Sequence, residues 1–122
     1  MKLHEAARGT YNVITAYGED YVTVNAERRQ SSLIVTPDRV IDWDVPEFDR
    51  LGADSFSFLA GERPEILLLG TGPRQRFPRP GVVAPLAAAG IGVEVMDLKA
   101  ACRTYNILVA EARRVAAALL FR

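Results

Sequence analysis

The spacing of apolar positions changes near Pro46. Before it, apolar and polar residues alternate. Tyr11, Val13, Thr15 and Tyr17 interleave with Asn12, Ile14 and Ala16, the period of two expected of a half-buried strand. Gly18-Glu19-Asp20 supplies a turn, and Tyr21 to Val24 resumes β-favouring residues. The charged triplet Glu27-Arg28-Arg29 marks a break or a sheet edge. Ser32 to Val35 reads as a third strand and Val40 to Trp43 as a fourth. Between them Thr36-Pro37-Asp38 is turn chemistry, with proline presetting φ and aspartate able to bond its own backbone. The first 45 residues are therefore expected to be antiparallel β, after a polar, loose segment 1–9.

Beyond Pro46 the pattern becomes βαβ. Asp54 reads as the N-cap of a short helix that turns Phe58 and Leu59 inward and is stopped by Gly61 and Pro64. Ile66 to Leu69 has no polar alternation, which in a strand means that both faces are covered. Pro80 suits the first turn of a helix and Gly90 its C-terminal cap, with Pro85 an internal cost. Ile91 to Met96 is the next strand. Asp97 caps a longer helix whose apolar stripe is Leu98, Ala101, Cys102, Tyr105, Leu108, Val109 and Ala112. Lys99, Arg103, Asn106 and Ala110 form the opposite stripe. A break near Ala112 and a last strand, Val115 to Leu120, are preferred, although the alanines alone favour helix.

Composition narrows the function classes. The chain has 122 residues, which fits one domain spanning 1–122. Its formal net charge is zero, which argues against a dedicated nucleic-acid binder. One cysteine, Cys102, excludes an intrachain disulfide, and with His4 the sole histidine no ordinary His/Cys metal cluster can form. The start, MKLHEAARG, lacks the apolar run of a signal peptide, and no apolar run approaches the ~20 residues that cross a bilayer. A cytoplasmic protein without membrane insertion is expected. Thirteen of the fifteen basic residues are arginine, which suits carboxylate or phosphate recognition but equally reflects a GC-rich genome.

Three stretches carry a resemblance: Gly70-Thr71-Gly72 with the arginine- and proline-containing loop after it, Glu94-Val95-Met96-Asp97, and Thr104-Tyr105-Asn106 within ACRTYNILVAEARRVAAALL. Together they resemble the Mth938-like domain family (domain of unknown function 498) over roughly residues 10–121. That family includes a mitochondrial respiratory complex I assembly factor and an adipogenesis-associated protein. The resemblance implies an α/β, three-layer fold: a central mixed sheet with helices, plus an antiparallel β layer from the N-terminal half. It implies a last strand antiparallel to its neighbours, and a partner-binding or assembly role. The chain departs from the family pattern twice. Leu98 stands where many relatives carry threonine, and Ala112 where they carry glycine.

Candidate chemistry centres on the end of the Ile66–Leu69 run, because open α/β sheets bind ligands at the carboxyl ends of central strands. Gly70, Thr71 and Gly72 would let backbone N–H groups approach an anion, with Arg74 and Arg76 as a clamp. The competing reading is a tight turn needing positive φ. The loop lacks the Gly-Lys-Ser/Thr of a phosphate-binding loop and the GxGxxG of a dinucleotide site. Asp97 is an N-cap or, alternatively, a general base, though no partner carboxylate or histidine is placed for it by sequence. Tyr105 is core, its hydroxyl reaching toward a sheet edge. Asn106, with Arg103 one turn back, lies on a solvated face or forms a polar wall beside the loop. Cys102 is a small core residue. Trp43 is an edge-strand aromatic or an interface anchor.

Gly70, Thr71, Gly72, Arg74, Arg76, Asp97, Arg103, Tyr105 and Asn106 thus outline a pocket for a ligand or partner, with no catalytic residue, metal ligand or cofactor assigned. The reading is a non-enzymatic binding or assembly module with a protein partner. Its alternative is a small-anion binding protein or enzyme acting at the same loop.

Overall fold

The computed structural model describes residues 11–122, so segment 1–9 lies outside the described residues. Among the described residues eight strands form two sheets. The smaller has the order β1-β2-β3, from β1 (Ile14–Tyr17), β2 (Val22–Val24) and β3 (Glu27–Arg29). The larger has the order β5-β4-β8-β6-β7, from β4 (Leu33–Val35), β5 (Val40–Asp42), β6 (Ile66–Thr71), β7 (Gly92–Met96) and β8 (Val115–Leu120). Helices α1 (Leu59–Glu62), α2 (Pro80–Ala88) and α3 (Leu98–Ala110), with 3₁₀ turns at Phe48–Arg50 and Ala53–Phe56, complete it.

The N-terminal half is antiparallel β, divided between both sheets: β4 and β5 join the central one. A bulge in β1 moves the pairing from Ile14↔Val24 to Ala16↔Thr23. The extra residue resets the period of two, so Ile14 and Tyr17 both pack toward the core. Asn25 and Ala26 turn the β2–β3 hairpin with φ of 51° and 71°, the two left-handed residues that a tight hairpin favours. The triplet Glu27–Arg29 is an edge strand, where charge discourages further pairing.

β8 departs from the expected direction. It is antiparallel to β4 but parallel to β6, because α3 carries the chain back to the end of the sheet where β6 begins. It is the middle strand, and all six of its residues are buried. Its neighbours supply the strand geometry, which overrides the helix preference of its alanines.

The two faces of the sheet build two cores. Leu33, Val35, Leu68, Val115, Ala117 and Leu119 face α3 and the small sheet. Ile34, Leu67, Leu69, Ala116, Ala118 and Leu120 face α2 and the 3₁₀ turns. Leu67, Leu68 and Leu69 are fully buried, each contributing about 1.5–3 kcal/mol of apolar burial. Trp43 belongs to the second core rather than to an exposed edge. It packs tilted against Phe56 and edge-on to Phe58, and its indole N–H donates to Ser55 O at 2.8 Å.

Two helix boundaries need correction. Asp54 is not an N-cap: it lies inside the Ala53–Phe56 turn, where Gly52 caps and the Ser55 hydroxyl accepts the Gly52 N–H. Gly61 lies within α1, which ends instead at Arg63 in a left-handed conformation before Pro64. The longer helices follow expectation. Pro80 opens α2, Gly90 with φ of 80° follows its end, and Pro85 is accommodated inside. The α3 stripe buries Leu98, Ala101, Cys102, Tyr105 and Val109. α3 closes in a Schellman motif, with Ala112 N–H bonded to Val109 O and Arg113 N–H to Leu108 O. Ala112 takes the left-handed position at φ 62°. Among the described residues no helix is long and apolar enough to cross a membrane.

Candidate functional site

β6 ends in Gly70, Thr71 and Gly72, and all three are tied into the framework. A Cβ on Gly70 would lie 3.0 Å from Ala101 Cβ and 3.1 Å from Leu119 Cδ2, so the missing side chain is what lets α3 approach the sheet. Gly72 has φ of 88°, and a Cβ there would meet Arg122 Cα at 3.1 Å and Arg122 N at 3.2 Å. The Gly72 carbonyl accepts the Leu98 N–H at 2.8 Å, satisfying one free donor at the start of α3. The Thr71 hydroxyl lies 2.7 Å from Arg74 O and 3.2 Å from Met96 O, and accepts the Arg76 N–H at 3.0 Å.

The two loop arginines diverge. Arg76 Nη2 donates to Asp49 Oδ1 at 2.8 Å, and its guanidinium lies 4.1 Å over the Phe48 ring. Arg76 therefore locks the loop to the Phe48–Arg50 turn. Arg74 is exposed and, among the described residues, makes no ion pair. Gln75 Nε2 donates to Val95 O on the edge strand β7 at 2.9 Å, a third anchor for the loop.

The α3 residues divide in the same way. Asp97 caps the helix, its Oδ1 accepting the Ala100 N–H at 2.8 Å. Tyr105 is fully buried and its hydroxyl donates to Asn12 O at 2.8 Å. Burial pushes its phenol above the ordinary range, so it acts as a fixed neutral donor. Asn106 forms neither a solvated face nor a wall of the loop. Its Oδ1 accepts the Ile14 N–H at 2.9 Å and its Nδ2 donates to Ile14 O at 2.7 Å. This amide clasp and the Tyr105 hydroxyl fasten the β1 segment to α3. Cys102 is buried and free, with burial pushing its thiol up to about 12 despite the opposing pull of Arg103. A neutral thiol is a poor nucleophile.

A cavity of about 280 Å³ brings Gly72, Asp97 and Arg103 together. Glu19, from the β1–β2 turn, and Lys99, from the first turn of α3, also line it. Arg74, Arg76, Tyr105 and Asn106 do not. Two carboxylates and two cations give this cavity no formal charge. Arg103 Nη1 also lies 3.4 Å from the Tyr17 hydroxyl, as its donor. Lys99 was legible as the stripe neighbour of Arg103, one helical turn back, whereas Glu19 arrives through the β1–β2 turn with no local signal. A separate cavity of about 470 Å³ is lined by Glu19, Asp20, Ser32, Asp44 and Arg122 among others. Among the described residues no group of three or more His, Cys, Asp or Glu is placed to hold a metal.

Comparisons with known proteins agree with this architecture. The profile of a family described as "Protein of unknown function (DUF498/DUF598)" matches residues 14–120. The chain is 35% identical over 118 residues to the human protein named NADH dehydrogenase [ubiquinone] 1 alpha subcomplex assembly factor 3. That match covers 95% of this chain and 63% of the human protein, and a frog (Xenopus tropicalis) counterpart is covered to 60% of its length. The chain thus spans under two thirds of both relatives. A crystal structure of a Bordetella parapertussis protein superposes with a TM-score of 0.86 at 46% identity, covering 91% of this chain and 96% of that one. The solution structure of a Bordetella pertussis protein, described as a Mth938-like domain, gives 0.79 at 39% identity over 89% and 85% of the two chains.

Proposed function

We propose that this chain, which belongs to the DUF498/DUF598 family, is a non-enzymatic binding module that serves the assembly of a protein complex. One observation carries the reading. Four polar side chains of the family-marking stretches are engaged within the fold. Thr71 holds its own loop, Asp97 caps α3, and Tyr105 and Asn106 grip the β1 segment. They build a rigid scaffold and leave recognition to the surface around them. The assembly-factor name of the human relative supports the same direction. Affinity capture of the full chain with in-cell cross-linking tests it. A reproducible protein partner is expected, and none recovered after cross-linking would overturn the proposal.

A second reading is a small-anion site in the 280 Å³ cavity. It is favoured by Lys99 and Arg103, which line that cavity beside Gly72. Phosphate, sulfate or a carboxylate metabolite would then raise the melting temperature by mass action, and Lys99→Ala with Arg103→Ala would remove the shift. A flat response across a broad anion screen would exclude this site.

A further inference from the structure

The loop from Pro73 to Pro80 presents a surface that the framework does not use. Its inner side is pinned by Thr71, Gln75 and Arg76. Pro73, Pro78 and Pro80 restrict its backbone further, and Pro78 also limits the residue before it, Phe77. On this stiff platform Phe77 stands 71% exposed, more so than Ile107, the other large hydrophobic side chain exposed among the described residues. Arg74 and Arg79, three residues before Phe77 and two after it in the chain, are exposed, and among the described residues neither has a carboxylate partner. Asp49 pairs with Arg76, so the loop's three arginines less one aspartate leave two positive charges on the segment from Pro73 to Pro80. Helix α2 begins here with Arg79 at its N-cap and no acidic residue in its first turn, so its dipole adds to that charge.

We propose that Arg74, Phe77 and Arg79 form a docking surface for an acidic peptide segment of a partner protein. Its carboxylates would pair with the two arginines around an apolar residue set against Phe77. Arginine forks suit carboxylates, and a stiff, proline-flanked loop loses little freedom on binding. The proposal rests on the assembly reading above and names the chemistry of its partner.

Panning a displayed random-peptide library on the full chain tests it. Enriched peptides are expected to cluster aspartate and glutamate around an apolar residue and to bind more weakly as salt rises. Arg74→Ala with Arg79→Ala should weaken an enriched peptide roughly tenfold or more, and Phe77→Ala should weaken it severalfold, with the melting temperature unchanged. No enrichment, enrichment of basic or uncharged peptides, or full affinity in the variants would overturn the surface. So would tighter binding of single-stranded oligouridylate or phosphatidylglycerol vesicles than of the enriched peptide. In-cell capture separates this proposal from the assembly reading. A partner held equally by wild type and by Arg74→Glu with Arg79→Glu removes this surface and leaves the assembly role standing. A partner held by neither, with the acidic consensus intact, removes the assembly role and leaves the surface.

Discussion

The inner and outer halves of the segment from Gly70 to Pro80 are adjacent in sequence and opposite in use. From Gly70 to Gly72 every distinguishing atom, or missing atom, answers to the framework. From Pro73 onward the backbone is pinned, but Arg74, Phe77 and Arg79 reach nothing inside the fold. Residues that mark a family need not touch its partner: the inner half fixes where the outer half is held. Substitutions in the two halves should therefore separate stability from binding.

The largest expected effect is at Gly72. Gly72→Val must place a branched side chain at φ of 88° against the Arg122 backbone, and should cost about 3 kcal/mol or more. A lowered urea midpoint with an unchanged slope is the measurement, and a stability within error of wild type would break the contrast. Tyr105→Phe comes next. It leaves Asn12 O without its donor and should cost roughly 1–2 kcal/mol by the same assay. Ala112→Gly should act in the opposite sense, adding up to about 1 kcal/mol by relieving a left-handed alanine at the end of α3. Arg76→Ala removes a largely exposed ion pair and should cost ~0.5 kcal/mol. Its sharper signature is faster backbone hydrogen exchange from Pro73 to Pro80. Smallest of all, Phe77→Ala and Arg74→Ala should leave the melting temperature within about 2 °C of wild type while changing partner binding.

What could be read in the sequence was local. The Asp97 cap, the α3 stripe and the buried β6 run each need only neighbours within a few turns, and each formed as expected. The bulge in β1 and the direction of β8 depend on pairing across the chain, which no local pattern encodes. Candidate-site residues show the same limit. Thr104-Tyr105-Asn106 stood out as a motif, but Asn106 meets Ile14 across 92 positions and Arg76 meets Asp49 across 27. Neither partner could be named without the fold. Asp54 carries a misleading local signal, because an aspartate before an apolar pair looks like a cap, whereas Gly52 and Ser55 close the turn.

The place of β8 has a consequence for synthesis. It follows every other described strand in the chain and is the central strand of the sheet, so β5-β4 and β6-β7 share no hydrogen bonds until it inserts. Its pairing with β4 closes a span from Leu33 to Leu119, the kind of distant contact that slows folding. A nascent chain halted before Val115 should thus hold two unjoined half-sheets and be cut readily by protease. One released after Leu120 should resist. Protection that appears already in the shorter chain would show that the halves find another way to meet.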